Sequence, residues 1–114
     1  MSEPATYLGE LEQLLLLAIL QCGEQAYTVP IRTLLAERGG RQLSRGALFT
    51  SLDRLESKGL VASSMGDALA IRGGRPRRYF EVTAAGVAAL RSAQSAVRRL
   101  SEGLNLDVLA ERHS

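Results

Sequence analysis

The 114-residue chain carries 14 Lys and Arg against 12 Asp and Glu, with 46% hydrophobic and 23% charged residues, the balance of one folded domain rather than a disordered tail. A single cysteine, Cys22, and a single histidine, His113, exclude an intrachain disulfide and leave no basis for a metal site or for histidine-dependent catalysis. The longest apolar run, Leu14 to Leu20, is seven residues, far short of the ~20 that cross a bilayer; the acid-only stretch before it is unlike a signal peptide, so a cytoplasmic chain with no membrane partner is expected.

The charge is sorted along the chain. Residues 1–26 hold four acids and no base, a net of −4; residues 27–100 hold thirteen bases and five acids, a net of +8; the remainder is −2. A basic block between acidic ends suits a surface for polyanions, because neutralised phosphates release counterions. A solvated charged face is the plainer reading of the same numbers.

Leu8 to Gln21 reads as a helix that is apolar nearly all round, with Gly23 as its stop. A domain this small is expected to have too few elements to cover such a helix, so a second subunit is the natural cover for residues such as Leu11 and Leu15. Cys22, at its end, reads as a small core residue rather than a thiol sensor. Tyr27 to Arg38 is a second helix, with Thr28 as a cap, Pro30 in the first turn and Gly39-Gly40 beyond its end.

The third helix is the best marked. Ser44 is its N-cap, Leu48, Leu52 and Leu55 share one face, and Lys58-Gly59 close it. Its opposite face carries Arg45, Gly46, Phe49, Thr50 and Asp53. Leu60 to Met65 and Arg78 to Val82 then read as two strands joined by a loop in which Arg72, Arg75, Arg77 and Arg78 alternate with glycine and proline. Thr83 caps a last helix, and Gly86, Leu90, Ala93, Val97, Leu100 and Leu104 fall at heptad spacing along it. That stripe packs either on its own domain or, the favoured reading, on a partner's first helix.

Three helices, a hairpin and a helix make the order of a winged helix-turn-helix. The expected fold is mainly α with a small β-hairpin, residues 1–82 forming the winged unit and 83–114 a C-terminal dimerisation helix, in one compact body. The second helix of a helix-turn-helix enters the major groove, which assigns residues 44–58 to that place. Ser44, Arg45 and Thr50 can donate to phosphates or bases, and Gly46 allows close approach. Arg45 is the candidate for a guanine fork, with phosphate contact as its alternative, while Arg54 is a structural or backbone contact. The arginine-rich loop reads as a wing tip following the DNA backbone or minor groove. A two-fold dimer would read a pseudo-palindrome.

An enzyme is a poor fit. The pairs Gly39-Gly40 and Gly73-Gly74 have neither the spacing nor the setting of a phosphate-binding loop, and Ser63, Ser64, Asp67 and Glu81 make no triad without a usable histidine. No cofactor is implied. The competing reading is a winged helix that uses its basic face to bind an acidic protein.

LGELEQLLLLAIL at 8–20, AYTVPIRTLL at 26–35, SRGALFTSLDRLESKGLV at 44–61 and RGGRPRRYFEVTAAG at 72–86 resemble the PadR family of bacterial transcriptional regulators. The resemblance implies a homodimeric repressor that binds double-stranded DNA through Tyr27, Ser44, Gly46, Thr50, Arg54 and the wing arginines. The chain departs from the family in Thr28, where glycine is usual, and in Phe49, where tyrosine is usual; the missing phenol puts a phosphate contact at 49 in doubt. The layout resembles the short subfamily. Some of its members hold flat aromatic drugs between tryptophans, and this chain has no Trp. A small-molecule effector of unknown identity would then need a leucine-lined cavity between subunits.

Overall fold

The computed structural model describes residues 7–66 and 77–113. Its elements are α1 (Glu10–Cys22), a 3-10 turn (Gly23–Gln25), α2 (Thr28–Gly39), α3 (Arg45–Ser57), β1 (Val61–Met65), β2 (Arg78–Val82), α4 (Ala84–Ser101) and α5 (Leu106–Arg112). The chain is thus a winged helix-turn-helix followed by a C-terminal helical arm.

Polar side chains start several of these helices. Ser44 accepts from the amide of Ala47 at 3.1 Å, satisfying a donor that the first turn of α3 would leave orphaned. Thr83 accepts from the amide of Gly86 at 3.1 Å and donates to the carbonyl of Gly59 at 2.7 Å, so one hydroxyl both caps α4 and ties it to the turn after α3. That turn runs through Gly59 at φ 77°, a conformation any side chain would strain. The start of α1 is different: Glu12 reaches back to the amide of Gly9 at 3.1 Å.

The core lies around α1. Leu15, Leu16, Ala18 and Ile19 of α1 are buried with Ile31 and Leu35 of α2, Leu48, Leu52 and Leu55 of α3, Phe80 of β2 and Leu90 of α4. The expectation that α1 needs a second subunit for cover is therefore corrected. α2, α3, β2 and α4 wrap around it, half-burying Leu11, Leu14 and Leu17 as well, and Leu20 alone of its leucines is exposed, at 46%.

β1 and β2 pair antiparallel, from Val61 opposite Val82 to Met65 opposite Arg78. The hairpin is anchored outside its own ladder, since the amide of Phe80 donates to the carbonyl of Ala26 at 2.8 Å and that of Thr83 to Leu60 at 3.0 Å. Two ion pairs hold the first turn of α1 against the helix-turn-helix. Glu10 takes Arg41, in the turn before α3, at 2.8 Å, and Glu12 takes Lys58, just after α3, at 2.6 Å.

The C-terminal arm behaves in two ways along its length. Gly86 and Leu90 face the core and Ala89 and Ala93 are half-buried, but Val97 and Leu100 are 61% and 83% exposed, and Leu104, Leu106 and Val108 also stand in solvent. The heptad stripe thus splits into a part packed on its own domain and a part left uncovered. Among the described residues, no helix is long and apolar enough to cross a membrane.

Candidate nucleic-acid interface

The outer face of α3 is built by default once Leu48, Leu52 and Leu55 are driven inward. Ser44, Arg45, Gly46, Thr50, Asp53 and Arg54 are then exposed, and Phe49 is half-buried at the flank. Nothing lies within 4 Å of where a side chain at Gly46 would begin, so the backbone there can be approached directly. The Arg45 guanidinium stands 5.8 Å from the Phe49 ring centroid, one helical turn on. A cation over a ring face is attracted by its quadrupole, and the phenyl ring at 49 supports this without a phenol. An open groove of ≈ 530 Å³ runs between α2 and α3, where Thr28, Arg32, Thr33, Gln42 and Arg45 offer donors. Arg32 also fixes the turn between the helices, donating to the carbonyl of Leu43 at 2.8 Å.

The hairpin root sits beside this face and is tied to it twice. Arg77 lies 4.2 Å over the ring of Tyr27, the residue that precedes α2, and Tyr27 meets Tyr79 edge-on at 5.7 Å and 71°. Arg78 Nη2 donates to Asp53 Oδ1 at 3.0 Å and to Glu56 Oε1 at 2.6 Å, both on α3. The other oxygen of Glu56 accepts from the amide of Ser63 at 3.1 Å and from its hydroxyl at 2.8 Å. These hydrogen bonds from Ser63 and Arg78 hold the Glu56 carboxyl below its ordinary pKa.

Of the residues singled out in the sequence, Ser44, Arg45, Gly46, Thr50 and Arg54 are all exposed along α3, with Arg45 and Arg54 on opposite sides of its axis, while Tyr27 and Arg77 stack on each other. Arg78 is engaged inside the molecule by two carboxylates. Arg72 and Arg75, expected at the wing tip, lie outside the described residues. Of the residues expected at a dimer interface, Leu15 and Leu90 are buried in the chain's own core, at 0% and 4% exposure, and are spent there. Leu11 and Ala93 are half-buried, whereas Val97, Leu100 and Leu104 remain free of cover.

Sequence reasoning passed over Asp53, Glu56 and Ser63 as partners of the hairpin, and Tyr79 as a partner of Tyr27. The one available signal was the pair of acids three apart, Asp53 and Glu56, on a helix expected to face a polyanion. Cys22 is half-buried, and that burial pushes its thiol pKa up, away from the reactive thiolate.

Comparison with known proteins adds to this geometry. The profile of the Transcriptional regulator PadR-like family matches residues 16–92. Among solved structures, the chain is similar to a PadR family transcriptional regulator from Eggerthella lenta DSM 2243, with 30% identity and a TM-score of 0.63 over 87% of this chain and 82% of that one. It is similar too to a PadR family transcription regulator from Clostridium difficile R20291, at 26% identity and a TM-score of 0.67 over 84% and 96% of the two chains. The circadian clock associated protein Pex from anabaena shares the fold, at 21% identity and a TM-score of 0.51, over 87% of this chain and 89% of that one. None of the curated proteins matches the chain.

Proposed function

The chain belongs to the PadR-like family of transcriptional regulators, and from that premise we propose that it is a homodimeric repressor whose two α3 helices enter successive major grooves of a pseudo-palindromic operator. The observation that carries this reading is the outer side of α3. It is capped by Ser44, opens with Arg45 and Gly46, leaves Arg45, Thr50 and Arg54 exposed, and has open space over Gly46 among the described residues. Arg45 forks onto guanine, Ser44 and Thr50 reach phosphate or base, and Tyr27 with Arg77 lies on the flanking backbone. Arg72 and Arg75, outside the described residues, add two positive charges to the same stretch of sequence.

Dimerisation is supported by the uncovered apolar residues of the arm, Val97, Leu100, Leu104 and Leu106, together with Leu20 of α1. Residues 83–114 act as the dimerisation element and residues 1–82 as the reading unit. The groove between α1 and α2, ≈ 200 Å³ and lined by Leu14, Leu17, Leu34 and Arg38, is the place for a small apolar effector roofed by the second subunit.

Selection of bound fragments from random duplex DNA tests the reading. Enrichment of a two-fold symmetric site, with half-sites about 10 base pairs apart, is the expected result. Recovery of unenriched duplex would overturn it.

A further inference from the structure

Arg78 is counted with the wing arginines by its place in the sequence, yet its surroundings set it apart. It opens β2, opposite Met65, where the hairpin leaves its ladder. One of its terminal nitrogens serves both Asp53 and Glu56, and its guanidinium lies 4.9 Å over the Phe80 ring, which is part of the core. Glu56 continues the chain of contacts to the amide and hydroxyl of Ser63 on β1. Both strands of the hairpin are thereby held to α3, the helix proposed to face DNA. Asp53 stands exposed on that helix, and if α3 enters a groove, a carboxylate there would face phosphate. Like charges in that position are costly unless a cation is near.

The geometry points to Arg78 as a positioning residue that touches no DNA: through Asp53 and Glu56 it sets the hairpin root, and with it Arg77, at a fixed angle to α3 while neutralising the two carboxylates that α3 carries toward the duplex. The inference rests on the reading of α3 as the DNA-facing helix. It assigns Asp53 and Glu56 a favourable part in binding a polyanion, opposite to what their charge alone would give. Removing either acid lowers the negative charge near the phosphates, so simple electrostatics makes such a variant bind tighter. A strut makes it bind more weakly.

The decisive experiment measures binding of full-length protein to a duplex recovered by selection, across a series of salt concentrations. Glu56→Gln keeps the side chain's shape and one oxygen for Ser63, but turns its amide toward Arg78. Asp53→Asn, at an exposed position, tests the other arm where folding is not at stake. Both variants are expected to lose affinity, Glu56→Gln on the order of tenfold. Arg77→Ala is expected to lower the salt slope by about 0.9, one phosphate's worth, and adding Arg78→Ala to Arg77→Ala is expected to lower the slope no further, because Arg78 itself meets no phosphate. Arg77→Ala is also expected to cost less in a Glu56→Gln background than in the wild type, because the angle it depends on is already lost. Tighter binding by Glu56→Gln or Asp53→Asn, a further fall of the slope by about 0.9 when Arg78→Ala is added to Arg77→Ala, or equal costs of Arg77→Ala in the two backgrounds would each overturn the inference and leave the DNA-binding reading intact. A wild-type protein that enriches no duplex would overturn both.

Discussion

Gly86 lies against the carbonyl oxygen of Leu60, so close that a Cβ on the glycine would overlap it, and that Cβ would also stand 2.7 Å from Cγ1 of Val82. The first turn of α4 is thus pressed onto the start of the hairpin with no room for a side chain. Neither neighbour can yield cheaply, since one is backbone that accepts from Thr83 and the other flanks the β2–α4 junction. Gly86→Ala is expected to destabilise the fold by about 1–3 kcal/mol, lowering the thermal midpoint by roughly 10 °C. Circular dichroism melting checks this, with Ala85→Gly as a control at an exposed neighbour.

Arg45→Ala removes the one cation in the first turn of α3 and, with it, the fork expected on guanine. The variant should lose about 1–3 kcal/mol of discrimination between a selected site and random duplex, while its affinity for random duplex changes little. Competition binding against both duplexes reads the two numbers separately. Equal losses on both would reassign Arg45 to phosphate.

Val97 and Leu100 are the most exposed apolar side chains of α4. Glutamate at both positions should leave the fold's melting cooperative and convert a dimer into a monomer, visible as a halved mass in sedimentation. Leu90→Glu makes the contrast. It buries a carboxylate in the monomer's own core and should unfold the chain whatever its oligomeric state.

The two carboxylates with lowered pKa make an acid-side prediction. Glu56 is held down by its hydrogen bonds from Ser63 and Arg78. In Glu12, partial burial acts upward but is outweighed by the hydrogen bonds from Lys58 and from the amide of Gly9. A carboxyl whose folded pKa lies below its unfolded one stabilises the fold at higher pH. That stabilisation is lost as pH drops from the unfolded value, roughly 4.3, through the folded one. Stability should therefore be flat around neutrality and fall below about pH 4.5. The Glu12→Gln, Glu56→Gln double variant should be less stable at pH 7 and should show a shallower acid limb in denaturant titrations.

Much of this architecture is legible in the sequence, because its elements announce themselves locally. Leu48, Leu52 and Leu55 recur at helical spacing, Ser44 and Thr83 cap the helices that begin after them, and the residues from Arg78 to Val82 alternate. Properties that depend on the third dimension are not legible in this way. The apolar girdle of α1 reads as a demand for a second subunit, but a helix threaded through the middle of its own domain needs the same girdle. Gly86 reads as a weak member of a heptad stripe, since spacing carries no sign that a backbone carbonyl waits opposite. Arg78 reads like its neighbours in the basic run. Charge along a chain does not say which cation faces outward, and only the packing of Asp53 and Glu56 beside it separates it from Arg77.

Lys58, which grips Glu12 from the end of α3, is also the chain's single lysine. Amine-directed acyl chemistry therefore meets one side chain here, and that side chain is already committed to holding α1 and α3 together. An acetyl group on its nitrogen would cancel the charge that Glu12 is matched to, so acylating that one side chain also loosens the joint between α1 and α3.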